Sequence, residues 1–278
     1  NSAGDPVSLG FKKFFNWGEQ PDLCYTPFSL TANGGCNLIE KLDGSCLIVS
    51  KYRGNTIIRT RGTMDARGMK NGGEIDHLVS MYPLAFNNPI LNDEDASLIY
   101  EWVSPNNQIV INYGDKPDIY LIGYINHHDY SYADQMLLDD LALVHGVKRP
   151  KRFHFDSIKK ALEAVESWQG QEGLCFYCDY DQEIRKVKSD WYKSKHRLKS
   201  ALSSFNNVVD LWFASGKPSY EDFLKQLEES ADFELLAKIR DDVKKICEGY
   251  QGFLKTVNDV RVKVSEIRLL PSRKEQAL

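Results

Sequence analysis

Lys41 stands in the segment Glu40-Lys41-Leu42-Asp43-Gly44-Ser45, and a lysine followed closely by Asp-Gly is a nucleophile signature. An amine attacks only as the neutral base, and the glycine lets the backbone turn tightly or approach a phosphate closely. By itself the segment reads as a turn at the head of a hairpin. Its companions give it weight. Arg59-Thr60-Arg61-Gly62 follows, with the two arginines expected on one strand face. Tyr100-Glu101-Trp102 leads on to Pro105-Asn106-Asn107. Gln171-Glu172-Gly173 opens a further strand-like run, and Arg185-Lys186-Val187-Lys188 places Lys186 and Lys188 on one face. Taken singly, Glu-Gly is ordinary turn chemistry and a pair of lysines is a solvated face. Taken in order, they supply a nucleophile, carboxylates and a set of cations.

Those residues need elements to place them. Leu47-Ile48-Val49-Ser50, Thr56-Ile57-Ile58-Arg59, Gln108-Ile109-Val110-Ile111 and Asp118-Ile119-Tyr120-Leu121-Ile122 are β-rich. Tyr52-Arg53-Gly54-Asn55 is expected to turn the first two into a hairpin, and the third is expected to be a buried strand running on to Tyr113. A helix is expected over 132–144 with an apolar stripe of Met136, Leu137, Leu141 and Val144. Another is expected over 157–168 with Ile158, Leu162 and Val165. Strands and helices mix without strict βαβ alternation, which indicates an α+β fold rather than a doubly wound sheet. From about residue 193 the chain reads as helix. Pro218 and Ser219-Tyr220-Glu221-Asp222 mark a helix start, a capping box with Asp in the Glu place. Leu235, Leu236, Ile239, Val243, Ile246, Tyr250, Phe253, Leu254 and Val257 keep helical spacing as a core face.

The 278 residues are 42% hydrophobic and 27% charged, the makeup of a globular chain able to bury a core. A net charge of −4 argues against coating nucleic acid by bulk positive charge but leaves room for a local basic groove. Residues 193–278 hold 16 Lys and Arg against 13 Asp and Glu, about +3, with about −7 left for the rest. No apolar run reaches the length of a membrane-spanning helix, and the N-terminus has no signal-peptide pattern. The cysteines Cys24, Cys36, Cys46, Cys175, Cys178 and Cys247 are expected as buried free thiols in a reducing, cytosolic setting. Cys175 and Cys178 fall on opposite faces of a strand, and neither cysteines nor histidines show zinc-ligand spacing.

In order and spacing these segments resemble the phage-type RNA ligase 1 family of the covalent nucleotidyltransferase superfamily. Lys41-Leu42-Asp43-Gly44-Ser45 matches the nucleotidyl-lysine motif, Glu101 the acid of the third motif, Glu172-Gly173 the fourth and Lys186-Val187-Lys188 the fifth. Lys13-Phe14-Phe15-Asn16 upstream and Lys188-Ser189-Asp190-Trp191-Tyr192 downstream extend the likeness over about residues 11–200, with Pro105, Asn107, Ile109, Val110 and Tyr113 echoing the third-motif region. The resemblance implies an ATP-grasp-like nucleotidyltransferase domain of antiparallel sheets with helices over 1–192 and a small all-helical domain over 193–278. It implies an ATP-dependent RNA ligase in which Lys41 takes AMP from ATP, passes it to a 5′-phosphate, and a 3′-hydroxyl then displaces it. Lys186 and Lys188 would disfavour the charged form of Lys41 and bind phosphate. Glu172 would hold Mg²⁺, with Mn²⁺ able to substitute. Glu101 would accept hydrogen bonds from the ribose, Arg59 and Arg61 would engage phosphate or ribose, and Lys13 and Glu40 would join the nucleotide site. The implied partners are ATP and RNA ends, cleaved transfer RNA among them, with no membrane. The implied place is the cytoplasm, the host's if the chain is viral.

Three features depart from the family pattern. Members carry a strand region with an Arg-Gly pair well upstream of the Lys-Phe-Phe-Asn segment, whereas twelve residues precede Lys13 and no Met stands first. Two expectations stand side by side: a trimmed or processed product, or a chain lacking a group used to position phosphates, in which self-adenylylation survives while a later step suffers. Gln108 stands where an arginine is expected, and the helical tail ends at Leu278. Two other readings remain. A DNA ligase or capping guanylyltransferase shares the lysine and the fourth and fifth motifs, but would add an OB-type barrel where this chain reads as helix. A non-catalytic relative would bind nucleotide or RNA and form no covalent adduct.

Overall fold

Local sequence dictates backbone most directly at Arg53-Gly54. Both residues take positive φ, 50° and 74°, and Tyr52 pairs with Asn55 across them. That is a two-residue hairpin turn of the kind that follows strand twist, and glycine at its second position carries no Cβ penalty. The structure is a computed structural model that describes residues 4–19, 36–87, 95–179, 182–228 and 233–272. Cys24, the first three residues, the side chain of Leu235 and the chain end at Leu278 lie outside the described residues.

Contact density divides the chain into two units, Asn1–Lys193 and Ser194–Leu278. The strands of the first are β1 (Phe15–Asn16), β2 (Cys36–Lys41), β3 (Ser45–Tyr52), β4 (Asn55–Arg59), β5 (Ala96–Val103), β6 (Asp118–Asn126), β7 (Arg152–Phe153), β8 (Gly173–Cys178) and β9 (Glu183–Lys188). Its helices are α1 (Gly73–Met81), α2 (Pro83–Phe86), α3 (Gln135–His145) and α4 (Ile158–Glu166), with α5 (Asp190–Ala201) starting at its end. The described strands form two sheets, of order β1-β9-β8-β2-β7 and β4-β3-β5-β6. Every pairing is antiparallel except the short one of β1 with β9. The fold is α+β with antiparallel sheets, as the sequence indicates.

Period-2 alternation lets each sheet present one face to the other. Ile39, Cys175, Tyr177 and Ile184 from one sheet meet Ile48, Ile99 and Ile125 from the other. The outer face of the four-stranded sheet packs Leu47, Leu98 and Trp102 against Ile75 and Leu78 of α1, Phe86 of α2 and Leu138 and Leu141 of α3. The outer face of the five-stranded sheet packs Leu38, Leu174 and Phe176 against Ala161 and Val165 of α4. Full burial of such side chains stabilises by about 1.5–3 kcal/mol each, so these three layers hold the strand register on which the site depends.

Three expectations need correction. The 108–111 segment is not a strand: after a 3₁₀ turn at Pro105–Asn107 it is irregular, because the amides of Val110 and Ile111 donate to the Asp43 carboxylate instead of a ladder. On α3 the buried face is Leu138, Leu141, Ala142 and His145, while Met136, Leu137 and Val144 are exposed. Asp134 caps this helix, so it begins three residues later than expected and its face is rotated. Cys36 and Cys178 are not free thiols. The β2–β8 register sets them directly opposite and they form a disulfide. Cys46, Cys175 and Cys247 are free, and Cys175 and Cys178 do face opposite cores.

The second unit holds α6 (Phe205–Ala214), α7 (Tyr220–Glu228) and α8 (Phe233–Arg268). The Ser219 hydroxyl accepts from the Asp222 amide and donates to its carboxylate, an N-cap in which the Asp turns to the hydroxyl rather than making the reciprocal capping box expected. Leu236, Ile239, Val243 and Ile246 of α8 pack with Trp212, Phe223 and Leu227. The core face ends near Tyr250, for Phe253 and Leu254 are exposed. No helix among the described residues is long and apolar enough to cross a membrane.

Candidate active site

Strand register aligns the motifs. Lys41 lies beside Gly173 on β8, and Gly173 beside Lys188 on β9. Two residues back, Ile39, Cys175 and Lys186 form the parallel row. Only glycine fits the middle of the first row. Gly173 has φ +154°, and a Cβ there would lie 1.9 Å from the Val187 carbonyl oxygen. The position between the two lysines thus carries no side chain, and both reach the neighbouring Glu172. Its carboxylate is 2% exposed, with one oxygen 2.8 Å from Lys41 Nζ and the other 2.9 Å from Lys188 Nζ.

Asp43 and Gly44 fix the turn after Lys41. The buried Asp43 carboxylate accepts from the Tyr192 hydroxyl at 2.6 Å and from the amides of Val110 and Ile111 at 2.6 and 2.9 Å. The Asp43 amide donates to the Tyr113 hydroxyl at 2.7 Å, and Ser45 Oγ donates to Asn107 Oδ1 at 3.0 Å. The Gly44 amide donates to Glu101 at 2.9 Å, and a Cβ on Gly44 would lie 2.3 Å from the Trp102 carbonyl oxygen. Asp-Gly is therefore a clamp that ties the lysine turn to β5, to the 107–113 loop and to Tyr192. Sequence reading identified the Asp-Gly but not this role, and it did not single out Tyr113 or Tyr192 as its partners.

A cavity of about 420 Å³ opens beside the turn. Of the expected site residues, Glu40, Lys41, Arg61, Glu101 and Lys186 line it, and Glu172 and Lys188 join it through the ion pairs. Two are placed elsewhere. Arg59 binds Ser8 through its hydroxyl and carbonyl, at 2.8 and 2.9 Å. Lys13 lines a separate cavity with its ammonium 4.7 Å from the Phe15 ring centre, and Lys12 lines the main one. Phe11, Phe14, Tyr177 and Ile122 form the apolar wall, none of them identified from sequence as a nucleotide contact. The β5–β6 pairing is irregular between Ile99 and Tyr100, opposite Ile122 and Gly123, and a glycine inside a strand is the sequence feature that marks such a place.

The electrostatics are those of an anion site built on an ion-pair row. Burial pulls the Lys41 ammonium down, but Glu172, Cys175 and Glu101 outweigh it and hold its pKa above the ordinary lysine value. Lys186 is held below the ordinary value by burial and by the nearby Lys41 and Lys188. Burial pushes Glu101 up to about 7, against the pull of Lys41 and the Gly44 amide. Between the ordinary carboxylate range and pH 7 the folded protein thus holds a proton at Glu101 that the unfolded chain has lost. Stability falls as pH rises through that window, by about 3 kcal/mol at most, and is flat above it. Glu101→Gln keeps the acceptor for Gly44 and removes the titration. Denaturation from pH 4.5 to 8.5 is expected to show the variant gaining on the wild type up to about pH 7. Parallel profiles would refute the assignment.

Among the described residues no group of three or more His, Cys, Asp or Glu could hold a metal ion. A cation that takes one protein carboxylate and completes its shell with substrate phosphates and water, as Mg²⁺ does, would reach Glu172 only by displacing Lys41 or Lys188 from one of its oxygens.

A family model described as RNA ligase, of the phage T4 RNA ligase 1 type, matches residues 3–201. An RNA ligase of Rhodothermus phage RM378 is 31% identical over 151 residues, 44% of this chain and 34% of that protein. A protein of Autographa californica nuclear polyhedrosis virus, described as a bifunctional polynucleotide kinase/RNA ligase, is 24% identical over 225 residues, 74% of this chain and 31% of that one. The chain spans about a third of the length of these relatives. Naegleria gruberi RNA ligase solved with PPi superimposes with TM-score 0.55 and 16% identity, covering 68% of this chain and 58% of that one. A lysine-to-alanine mutant of the same ligase, solved with ATP and Mn, gives TM-score 0.55 and 14% identity over 69% and 64%. At these identities the likeness is one of fold.

Proposed function

The chain belongs to the phage T4 RNA ligase 1 family, and from that premise we propose that it joins 5′-phosphate and 3′-hydroxyl RNA ends through AMP carried on Lys41. The observation that carries the reading is the row Lys41–Glu172–Lys188, with one lysine facing a 420 Å³ cavity that has an apolar wall and a cationic wall. Such a cavity suits a nucleotide, with its base on Phe11, Tyr177 and Ile122 and its phosphates on Lys186 and Lys188.

In the first step Lys41 Nζ forms a bond to the α-phosphorus of ATP, the bond to the bridging oxygen breaks, and pyrophosphate leaves with that electron pair. Nζ must first lose its proton, which the Glu172 carboxylate opposes while it holds the ammonium. A divalent cation, Mg²⁺ or Mn²⁺, taking the Glu172 carboxylate would neutralise phosphate charge and withdraw the group that keeps Lys41 protonated. Lys186 and Lys188 hold the phosphates as charge builds on the leaving oxygen. Glu101 and Glu40 border the same cavity and take the ribose end, and Arg61 contributes a further cation. Transfer of AMP to a 5′-phosphate and its displacement by a 3′-hydroxyl complete the cycle. Cleaved transfer RNA is a substrate consistent with this chemistry, and we place the reaction in the cytoplasm, the host's if the chain is viral. The Cys36–Cys178 bond sits five residues from Lys41 along β2, about 16 Å.

The test is a denaturing gel after incubation with ATP and Mg²⁺, on protein first stripped of AMP with pyrophosphate. Label at the α-phosphate is expected to stay on the protein and label at the γ-phosphate is not. Absence of α-label would sink the proposal.

A further inference from the structure

A second cavity, of about 640 Å³, is lined by Asn16, Trp17, Leu162, Lys186, Lys188 and Lys193, with Glu166 and Val187 also on its wall. It shares Lys186 with the cavity beside Lys41. The nucleotide chemistry above makes no use of Trp17 or Lys193. Trp17 is half-buried, packs on Phe176 at 5.3 Å between ring centres, and is held beside β9 by its amide donating to the Lys186 carbonyl at 2.9 Å. Lys186 has no ion-pair partner among the described residues and lies 5.1 Å from the Phe14 ring centre. Lys193 is exposed and 2.7 Å from Asp190, a contact between solvated side chains that a phosphate can replace.

The chemistry says what must come to this place. Pyrophosphate departs, and the next nucleophile approaches, roughly in line with the bond from Lys41 Nζ to the AMP phosphorus. Both therefore use the side of the nucleotide that faces away from Lys41, where Lys186 and Lys188 hold the phosphates. A groove that starts at those lysines, continues to a third, and offers an indole and a leucine beside them matches one end of a single strand, with phosphate on cations and base on an aromatic ring. We propose that this groove seats the 5′-phosphorylated end of the RNA, its terminal phosphate on Lys186 and Lys193 and its first base against Trp17. The proposal rests on the lysyl-AMP reading. In the step it serves, an oxygen of the 5′-phosphate forms a bond to the AMP phosphorus, the N–P bond to Lys41 breaks, and Nζ leaves with the electron pair and takes up a proton.

Trp17→Ala, Trp17→Phe and Lys193→Glu test it in the full chain. Two readouts are followed: binding of a single-stranded RNA oligonucleotide with and without a 5′-phosphate, by fluorescence anisotropy, and transfer of AMP from pre-adenylylated protein to the phosphorylated oligonucleotide. Trp17→Ala and Lys193→Glu are expected to slow transfer about tenfold or more and to lose the binding preference for the 5′-phosphate. Trp17→Phe is expected to keep most of both. Lysyl-AMP formation from ATP should stay within about twofold of wild type in all three. Lys193→Glu should also flatten the salt dependence of binding by roughly 0.7 of a log unit per log unit of salt. Transfer and binding at wild-type levels in Lys193→Glu, an exposed position that leaves the core untouched, would overturn the proposal. So would a loss of lysyl-AMP formation in parallel with transfer, which would assign the groove to the nucleotide step. Binding decides the groove even for a protein that forms no lysyl-AMP, and in that case the failure belongs to the reading of Lys41.

Discussion

Arginine in place of Lys41 is expected to abolish the proposed lysyl-AMP adduct and to leave the fold standing. The guanidinium keeps the positive charge and can reach the Glu172 carboxylate that Lys41 holds at 2.8 Å, so the buried carboxylate is not left without a partner. It cannot serve as a nucleophile, because it stays protonated at any working pH. Label from α-labelled ATP should fall by at least about 10³-fold, to the floor of a denaturing gel, since nothing substitutes for the bond-forming group. The thermal midpoint should move by only a few degrees, the size of a roughly 1 kcal/mol change. Lys41→Ala is the weaker test, for it also strands Glu172 beside Lys188 alone and mixes loss of the nucleophile with loss of the row. Label at wild-type level on the arginine variant would move the nucleophile elsewhere. Lys186 would be examined first, since it lines the same cavity and is held below the ordinary lysine pKa.

How far the sequence reaches toward this site depends on the range of the interaction. The Arg53-Gly54 turn and the Ser219–Asp222 cap are settled within four residues, and both form where their sequences indicate. Strand alternation correctly puts Lys186 and Lys188 on one side of β9, because that too is local. Register is not local. Nothing in the spacing of Lys41, Gly173 and Lys188 says that they share a row; that follows from how β2, β8 and β9 pair. The same pairing makes the Cys36–Cys178 disulfide, 142 residues apart in sequence, which cysteine spacing cannot give.

Where a side chain takes over backbone bonding, pattern fails outright. Gln108-Ile109-Val110-Ile111 has the composition of a strand, yet Asp43 captures two of its amides and the segment becomes a clamp. On α3 apolar residues occur on both faces, so periodicity alone could not choose between Leu137 and Leu138, and the Asp134 cap decides. Lys12 and Lys13 show the same limit in one step. They are adjacent, only one lines the main cavity, and a motif match settles neither the direction of a side chain nor its neighbour's.

Glutamine in place of Glu172 should be the most costly change in the site after loss of Lys41. The substitution keeps shape and removes the charge that two ammoniums share, Lys41 at 2.8 Å and Lys188 at 2.9 Å. Breaking a buried ion pair by removing one partner costs about 3–5 kcal/mol when the other charge is trapped. Here the charges have outlets: Lys188 is 29% exposed and lies 4.8 Å from the Tyr192 ring centre, and Lys41 borders an open cavity. A loss nearer 1–3 kcal/mol is therefore expected by chemical denaturation. Activity should suffer more than stability. Adduct formation should fall at least about 100-fold at saturating Mg²⁺, in line with loss of a metal's several kcal/mol of charge stabilisation. The residual rate should no longer rise as Mg²⁺ is added, whereas removing the cation from the wild type with a chelator should bring it down toward the variant. The two arms separate the roles. A variant that is slow but keeps the wild-type response to Mg²⁺ would show Glu172 to be only the counter-charge of the lysine row. The cation would then lie on another carboxylate of the same cavity, with Glu101 the first to replace.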